Sequence, residues 1–205
     1  MTETPETVTF YFDPACPWTW RTSRWLVHVA ERKGVTVEYR PFELSAGGSL
    51  DDVPEQYRDS AIASRSFLRG VQAAGADGRH DVIGTWYTAY GTATFDDRSA
   101  DASVDLAKRT LEEAGGSDYA AALDDTGLDA DVATSREHAV SLAGDNVGSP
   151  VIAWPTGDGE RGFFGPVVAP TPTGDDADQL WDAVLAMGGL PFFELKSRRT
   201  ASPMG

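Results

Sequence analysis

Phe10-Tyr11-Phe12-Asp13-Pro14-Ala15-Cys16-Pro17-Trp18-Thr19-Trp20-Arg21-Thr22-Ser23-Arg24-Trp25 is the stretch that decides the reading of this chain. Val8, Phe10, Tyr11 and Phe12 form an apolar, aromatic run of the kind that makes a buried strand. Asp13-Pro14 breaks that run, and the segment from Pro17 onward can continue as a helix. Cys16 therefore falls at the helix start. The first N–H groups of a helix are unpaired and carry the positive end of its dipole, so this position favours a thiolate. Pro17 suits the first helical position, where its missing N–H costs nothing.

Cys16 is the only cysteine among 205 residues. A lone cysteine can be a small buried hydrophobe. Between two prolines at a strand-to-helix turn it is difficult to bury, and Cys16 reads as a nucleophile attacking as thiolate. Thr19, three residues on, faces it across the first turn with a hydroxyl that can donate to the sulfur. Trp18 within the turn reads as an exposed stacking surface suited to a flat substrate, Trp20 and Trp25 as core.

Outward from this stretch, a helix over 17–32 stops at Lys33-Gly34. Val35, Val37, Tyr39 and Phe42 give a second strand ending at Pro41-Phe42. Ser45 to Asp52 is a loop by composition. From 54 to 144 only helical patterns occur: Pro54 to Ala74, a segment around Val82, Ile83, Trp86, Tyr87 and Tyr90, one around Val104, Ala107 and Leu111 with a Gly115-Gly116 stop, Ser117 to Leu123, and Val132 to Ala143. Strand signals return at Pro150 to Trp154 and, after a Pro155-Thr156-Gly157-Asp158-Gly159 turn, at Arg161 to Gly165. A last helix is expected over 175–187, with Leu180, Trp181, Val184 and Leu185 on one side. The basic, polar end from Lys196 to Gly205 is expected to be mobile.

The turn resembles the active site of thioredoxin-fold disulfide oxidoreductases related to bacterial DsbA. It is most similar to the actinobacterial mycothiol-dependent nitroreductase family, which carries Cys-Pro-Trp-Cys followed by Trp-x-x-x-Arg-Trp. Here the frame reads Cys16-Pro17-Trp18-Thr19, Trp20, then Ser23-Arg24-Trp25. Further matches are Val53-Pro54-Glu55-Gln56-Tyr57-Arg58, Val147-Gly148-Ser149-Pro150, Phe163-Phe164-Gly165-Pro166-Val167 and Phe192-Phe193-Glu194-Leu195-Lys196, so the resemblance spans nearly the whole chain. It implies an α/β thioredoxin fold with an inserted all-helical subdomain: a core over 1–44 and 145–205, and an insertion over 45–144.

The resemblance also implies site residues. Thioredoxin-fold proteins place a cis-proline against the active thiol, which maps to Pro150. The preceding residue, Ser149, presents backbone groups to an extended substrate. Pro17, Trp18, Tyr57 and Ser149 are thus expected to bind substrate, and Cys16, Thr19 and Pro150 to form the catalytic set. Two departures stand out. The family's second cysteine is Thr19 here, so no internal disulfide can form, and Thr19 is either a hydrogen-bond donor or the vestige of a resolving thiol. Family members carry an asparagine in the loop just before Tyr57, where this chain has Gly47-Gly48, a departure that bears on the aromatic pocket.

The remaining sequence narrows the function classes. Lys plus Arg is 17 against 32 Asp plus Glu, a net charge of −15 that disfavours nucleic acid and anionic membrane surfaces. His28, His80 and His138 have no metal-ligand spacing. Gly78, Gly84 and Gly91 form no phosphate loop. No tightly bound cofactor is expected. The acidic N-terminus lacks secretory features and no run of roughly 18 apolar residues occurs, so the chain reads as cytoplasmic. The expected function is a monothiol oxidoreductase using mycothiol or a similar low-molecular-weight thiol on mixed disulfides or electrophilic, nitroaromatic-like molecules. Two alternatives stay open: a thiol-cofactor-dependent isomerase or transferase using Thr19, and a non-catalytic redox-sensing or binding protein. Aromatic surface on the insertion permits a homodimer.

Overall fold

The computed structural model describes residues 4–46, 48–188, 190 and 202. The Phe192 to Lys196 match, Gly47 and, apart from Ser202, the expected mobile end lie outside the described residues.

β1 (Thr7–Phe12) consists of β-branched and aromatic residues, which suit a pleated buried strand. Its side chains alternate between the two faces of the sheet: Val8, Phe10 and Phe12 enter one apolar cluster and Tyr11 the other. α1 (Pro17–Lys33) opens with Cys16 as its N-cap and Pro17 at its first position. It closes on Gly34, whose φ of +70° requires a residue without a Cβ clash. β2 (Thr36–Pro41) then pairs parallel to β1, from Thr7 opposite Thr36 to Phe12 opposite Pro41.

The helical segment follows. α2 (Glu55–Ala76), α3 (His80–Gly91), α4 (Val104–Glu113) and α5 (Asp129–Ala143) are separated by turns and by 3₁₀ or π-helical pieces. One of these is a π-helical turn at Thr92–Asp96. Ser117 to Leu123, expected as helical, falls in a 3₁₀ segment over Ser117–Asp124 that buries Leu123. The chain returns to the sheet with β3 (Val151–Thr156) and β4 (Gly159–Phe164), both antiparallel to their neighbours, and ends its described elements with α6 (Gly174–Met187). The strand order is β2-β1-β3-β4. This is the thioredoxin arrangement, with helices inserted between β2 and β3.

The hairpin is tighter than its composition suggested. Pro155 belongs to β3 opposite Glu160, leaving Gly157-Asp158 as the turn. A proline is tolerated there because β1 pairs only with Val151 to Ala153, so β3 is free on that side beyond Ala153.

Two layers cover the sheet. On one face, Trp20, Trp25, Leu26 and Val29 of α1 and Trp181, Val184 and Leu185 of α6 share a single cluster with Phe67 and Val71 of α2 and Ile83, Trp86 and Tyr87 of α3. Its centre is aromatic: Phe67 stacks on Trp86 with centroids 3.7 Å apart, and Tyr87 meets Phe12 at 4.4 Å and Trp20 edge-on at 5.4 Å. On the other face α5 packs Ala139 against Tyr11, Phe42, Val151 and Ala153. The last helix before residue 144 is therefore a layer of the sheet, while the helices before it extend the first core.

Candidate active site

Cys16 adopts extended backbone angles (φ −91°, ψ 113°) before the helix begins. Its amide donates to the Asp13 carbonyl at 3.1 Å, and its own carbonyl accepts from the Trp20 amide at 3.0 Å, so the turn is closed at both ends. The side chain is half-buried, and the sulfur lies 4.0 Å from the Ser149 carbonyl oxygen. The Ser149-Pro150 bond is cis. Residues separated by 133 positions thus meet at one point.

Thr19 lies in the first turn of α1, and its hydroxyl has a partner that spacing alone did not suggest. It is fully buried, and its hydroxyl is paired with the Ser149 hydroxyl at 2.8 Å. The physical reason is the approach of the Ser149 segment over the first helical turn, which offers a buried partner that only the tertiary fold supplies. Thr22 ties the same turn to a second loop, donating to the Pro166 carbonyl at 2.7 Å. Trp18 is half-buried rather than an open stacking surface, while Trp20 and Trp25 are core.

A cleft of about 280 Å³ opens beside the turn. Asp13, Ala15, Glu43, Leu44, Tyr57 and Ser64 are among its walls. Tyr57 stands at the mouth with 57% of its surface exposed. Leu44, Phe164 and Val167 are also exposed. Gly148 lies between the first two, since a Cβ there would come within 3.5 Å of Leu44 and 4.0 Å of Phe164. The cysteine follows Ala15 of the cleft wall, and that wall combines apolar side chains such as Leu44 and Val53 with the hydroxyls of Ser45, Ser60 and Ser64.

The acids are structural anchors. Glu43 pairs with Arg65 at 2.6 Å, and Arg65 also donates to the Ser45 hydroxyl and the Gly48 carbonyl, fastening the loop after β2 to α2. Asp13 is buried and accepts hydrogen bonds from Ala15, Leu44 and Ser64. Burial pushes its carboxyl above the ordinary range, and the three hydrogen bonds pull the other way. Beneath the site, burial raises the Tyr87 hydroxyl far above its usual value, so it stays protonated. Burial lowers the Arg24 guanidinium, which lies 4.0 Å from the centre of the Trp20 ring.

Asp13, Ser64, Glu43 and Leu44 of the cleft wall escape a reading of the sequence. Only Asp13 carries a usable local signal: an aspartate that bonds the amide two residues on is a common turn device. Among the described residues no three His, Cys, Asp or Glu side chains converge as a metal site.

The profile of the Rv2466c-like family, mycothiol-dependent nitroreductase Rv2466c, matches residues 15–197. The chain belongs to this family. Thiol-dependent oxidoreduction is the activity the Rv2466c-like family stands for. The relative Rv2286c of Mycobacterium tuberculosis, described as uncharacterized, is 31% identical over 202 residues, covering 96% of this chain and 83% of that protein. The fold is similar to the cytosolic disulfide reductase DsbM of Pseudomonas aeruginosa (TM-score 0.58, 19% identity, 88% of this chain and 99% of that one). It is similar as well to a probable DsbA oxidoreductase from Streptomyces coelicolor (TM-score 0.53, 20% identity, 97% of each chain). No helix among the described residues is long and apolar enough to cross a membrane.

Proposed function

We propose that this member of the Rv2466c-like family is a monothiol oxidoreductase whose nucleophile is Cys16 and whose reductant is mycothiol or a comparable small thiol. The observation that carries the reading is the half-buried sulfur at the N-cap of α1, 4.0 Å from the Ser149 carbonyl beside a cis-proline. A thiolate there receives the unpaired N–H end of α1.

The chemistry is a pair of exchanges. The Cys16 thiolate attacks one sulfur of a mixed disulfide, the S–S bond breaks, and one thiolate leaves. A second small thiolate then attacks the sulfur joined to Cys16, releases Cys16 and carries away the new disulfide. Position 19 cannot resolve the intermediate, because it is a threonine bonded to Ser149. Resolution is therefore bimolecular and lacks the effective concentration of an internal thiol. With a nitroaromatic-like acceptor, two thiols supply each electron pair and leave as a disulfide. The cleft beside Tyr57, walled by Leu44, Val53 and Ala61 with a few hydroxyls, suits a substrate with a flat apolar part. The chain is read as cytoplasmic, with no resident cofactor and with a homodimer as its assembly option.

Burial of the Thr19 hydroxyl, paired with Ser149, speaks against its activating a bound thiol cofactor, as the isomerase or transferase reading requires. The test is the order of the reaction in small thiol. Turnover of a mixed disulfide should rise linearly with thiol concentration, whereas Thr19→Cys should complete a single turnover without added thiol, releasing both halves of the mixed disulfide and leaving the chain with no free thiol. A parent rate independent of thiol concentration, or activity retained in Cys16→Ser, would sink the proposal.

A further inference from the structure

Asp13 is buried at the base of the Cys16 turn, and three donors from three segments converge on its two oxygens. Oδ1 accepts from the Ala15 amide at 2.8 Å and from the Ser64 hydroxyl at 2.6 Å. Oδ2 accepts from the Leu44 amide at 2.8 Å. Ala15 belongs to the turn that carries the nucleophile, Leu44 to the loop after β2, and Ser64 to α2. All four residues also line the cleft beside Cys16.

We propose that Asp13 is the positioning residue of this site: it holds the Cys16 turn, the Leu44 loop and α2 in one register, so that a molecule seated in the cleft presents its reacting atom to the sulfur. This rests on the assignment of Cys16 as nucleophile. The carboxylate is suited to the task because its ionised form accepts at every lone pair and donates nowhere. An asparagine cannot reproduce it. Its carbonyl oxygen would keep the two donors on the Oδ1 side, and its NH₂ would then face the Leu44 amide, donor against donor. Asp13→Asn should therefore free the Leu44 wall of the cleft while the turn itself stays closed through the Cys16 and Trp20 amide bonds.

The experiment compares two probes of Cys16 on the full chain. Iodoacetamide is small and needs only the sulfur. 2,2′-Dithiodipyridine is a flat disulfide large enough to occupy the cleft; the Cys16 thiolate attacks one of its sulfurs, the S–S bond breaks, and pyridine-2-thiolate leaves. In Asp13→Asn the iodoacetamide rate should stay within about threefold of the parent, while the dithiodipyridine rate falls about tenfold, since a misplacement of the order of 1 Å is enough for such a loss. Ser64→Ala, which removes one donor and strands no buried group, should shift the ratio in the same direction by about threefold.

A purely structural role would slow both probes by the same factor, and that result, or an unchanged ratio in the folded variants, overturns the inference. Should Asp13→Asn fail to fold, Ser64→Ala carries the same decision. A parent chain that iodoacetamide does not label at all overturns the Cys16 assignment and this inference with it, a result distinct from an unchanged ratio.

Discussion

In α1, the opening turn and the turns behind it hold their places by different means. Residues 16–19 are fixed by directional bonds: Cys16 to the Asp13 carbonyl within the turn, and Thr19 to Ser149 in a distant loop. Trp20, Trp25, Leu26 and Val29 are fixed by burial among aromatic rings. The Trp20 indole lies over Gly91, where a Cβ would overlap its ring, and donates its N–H to Asp96 in the π-helical turn at 3.2 Å. The difference teaches how a reactive side chain stays accessible. Packing would have to cover the sulfur to hold it, whereas hydrogen bonds behind the turn hold it from one side.

That comparison yields predictions of decreasing size. Cys16→Ser should reduce labelling and thiol-dependent turnover to background, with unfolding free energy changed by no more than about 0.5 kcal/mol, as for a site outside the packed core. Calorimetry beside mass spectrometry checks both halves. A large stability loss would mean that the sulfur is part of the packing after all.

Gly91→Ala addresses the other half of the helix. It forces a methyl group into the Trp20 ring in a close-packed region, and should cost about 1–3 kcal/mol. The alkylation rate of Cys16 in the folded fraction should remain near that of the parent. Urea unfolding followed by tryptophan fluorescence measures the first, and labelling well below the midpoint measures the second.

The Thr19–Ser149 pair tests whether directional bonds carry the opening turn. Thr19→Val leaves the Ser149 hydroxyl buried without its partner and should cost about 1–3 kcal/mol. Ser149→Ala removes the bond from the other side. The double variant should be more stable than the sum of the single losses predicts, because neither group is then stranded. Additivity within about 0.3 kcal/mol would show that the two hydroxyls are not coupled.

The smallest effect lies at the far end of the same core. His80 accepts the Tyr39 amide through Nδ1 at 3.1 Å, and burial holds its protonation below the usual range, outweighing the pull of Glu38. The unfolded chain therefore binds the proton more readily than the folded one. Stability linked to this group is fully present above about pH 6.5 and declines as the pH falls through the lower folded-state value. Denaturation at about pH 7.5 and about pH 5.5 should show that decline in the parent, and His80→Gln should reduce the difference. An equal decline in both chains would assign it to other groups.

Much of the fold was legible because its signals are local. The aromatic run before Asp13-Pro14, the Gly34 stop and the helical spacing of Val82 to Tyr90 each follow from a few neighbouring residues, and the structure places β1, α1 and α3 accordingly. Ser117–Asp124 was less legible, since α- and 3₁₀-helices share the same short composition cues. The cis-proline segment could be reached only through a resemblance, because no local pattern in Ser149-Pro150 identifies its partner across the fold.

What the sequence determined by itself is the chemistry on offer: one sulfur, at the start of a helix, with a hydroxyl where a second sulfur would resolve it. The sulfur and its place at the helix start follow from local pattern and spacing, and the resemblance adds that a threonine stands where the family has its second cysteine. What only the tertiary structure decided is which groups act on that sulfur's surroundings. Thr19 turns to Ser149, and Asp13 gathers Leu44 and Ser64 to the Ala15 turn, by hydrogen bonds between segments far apart in the chain. Buried hydrogen bonds are satisfied by whatever the packed fold brings near, so their partners are a property of the packing and not of local order.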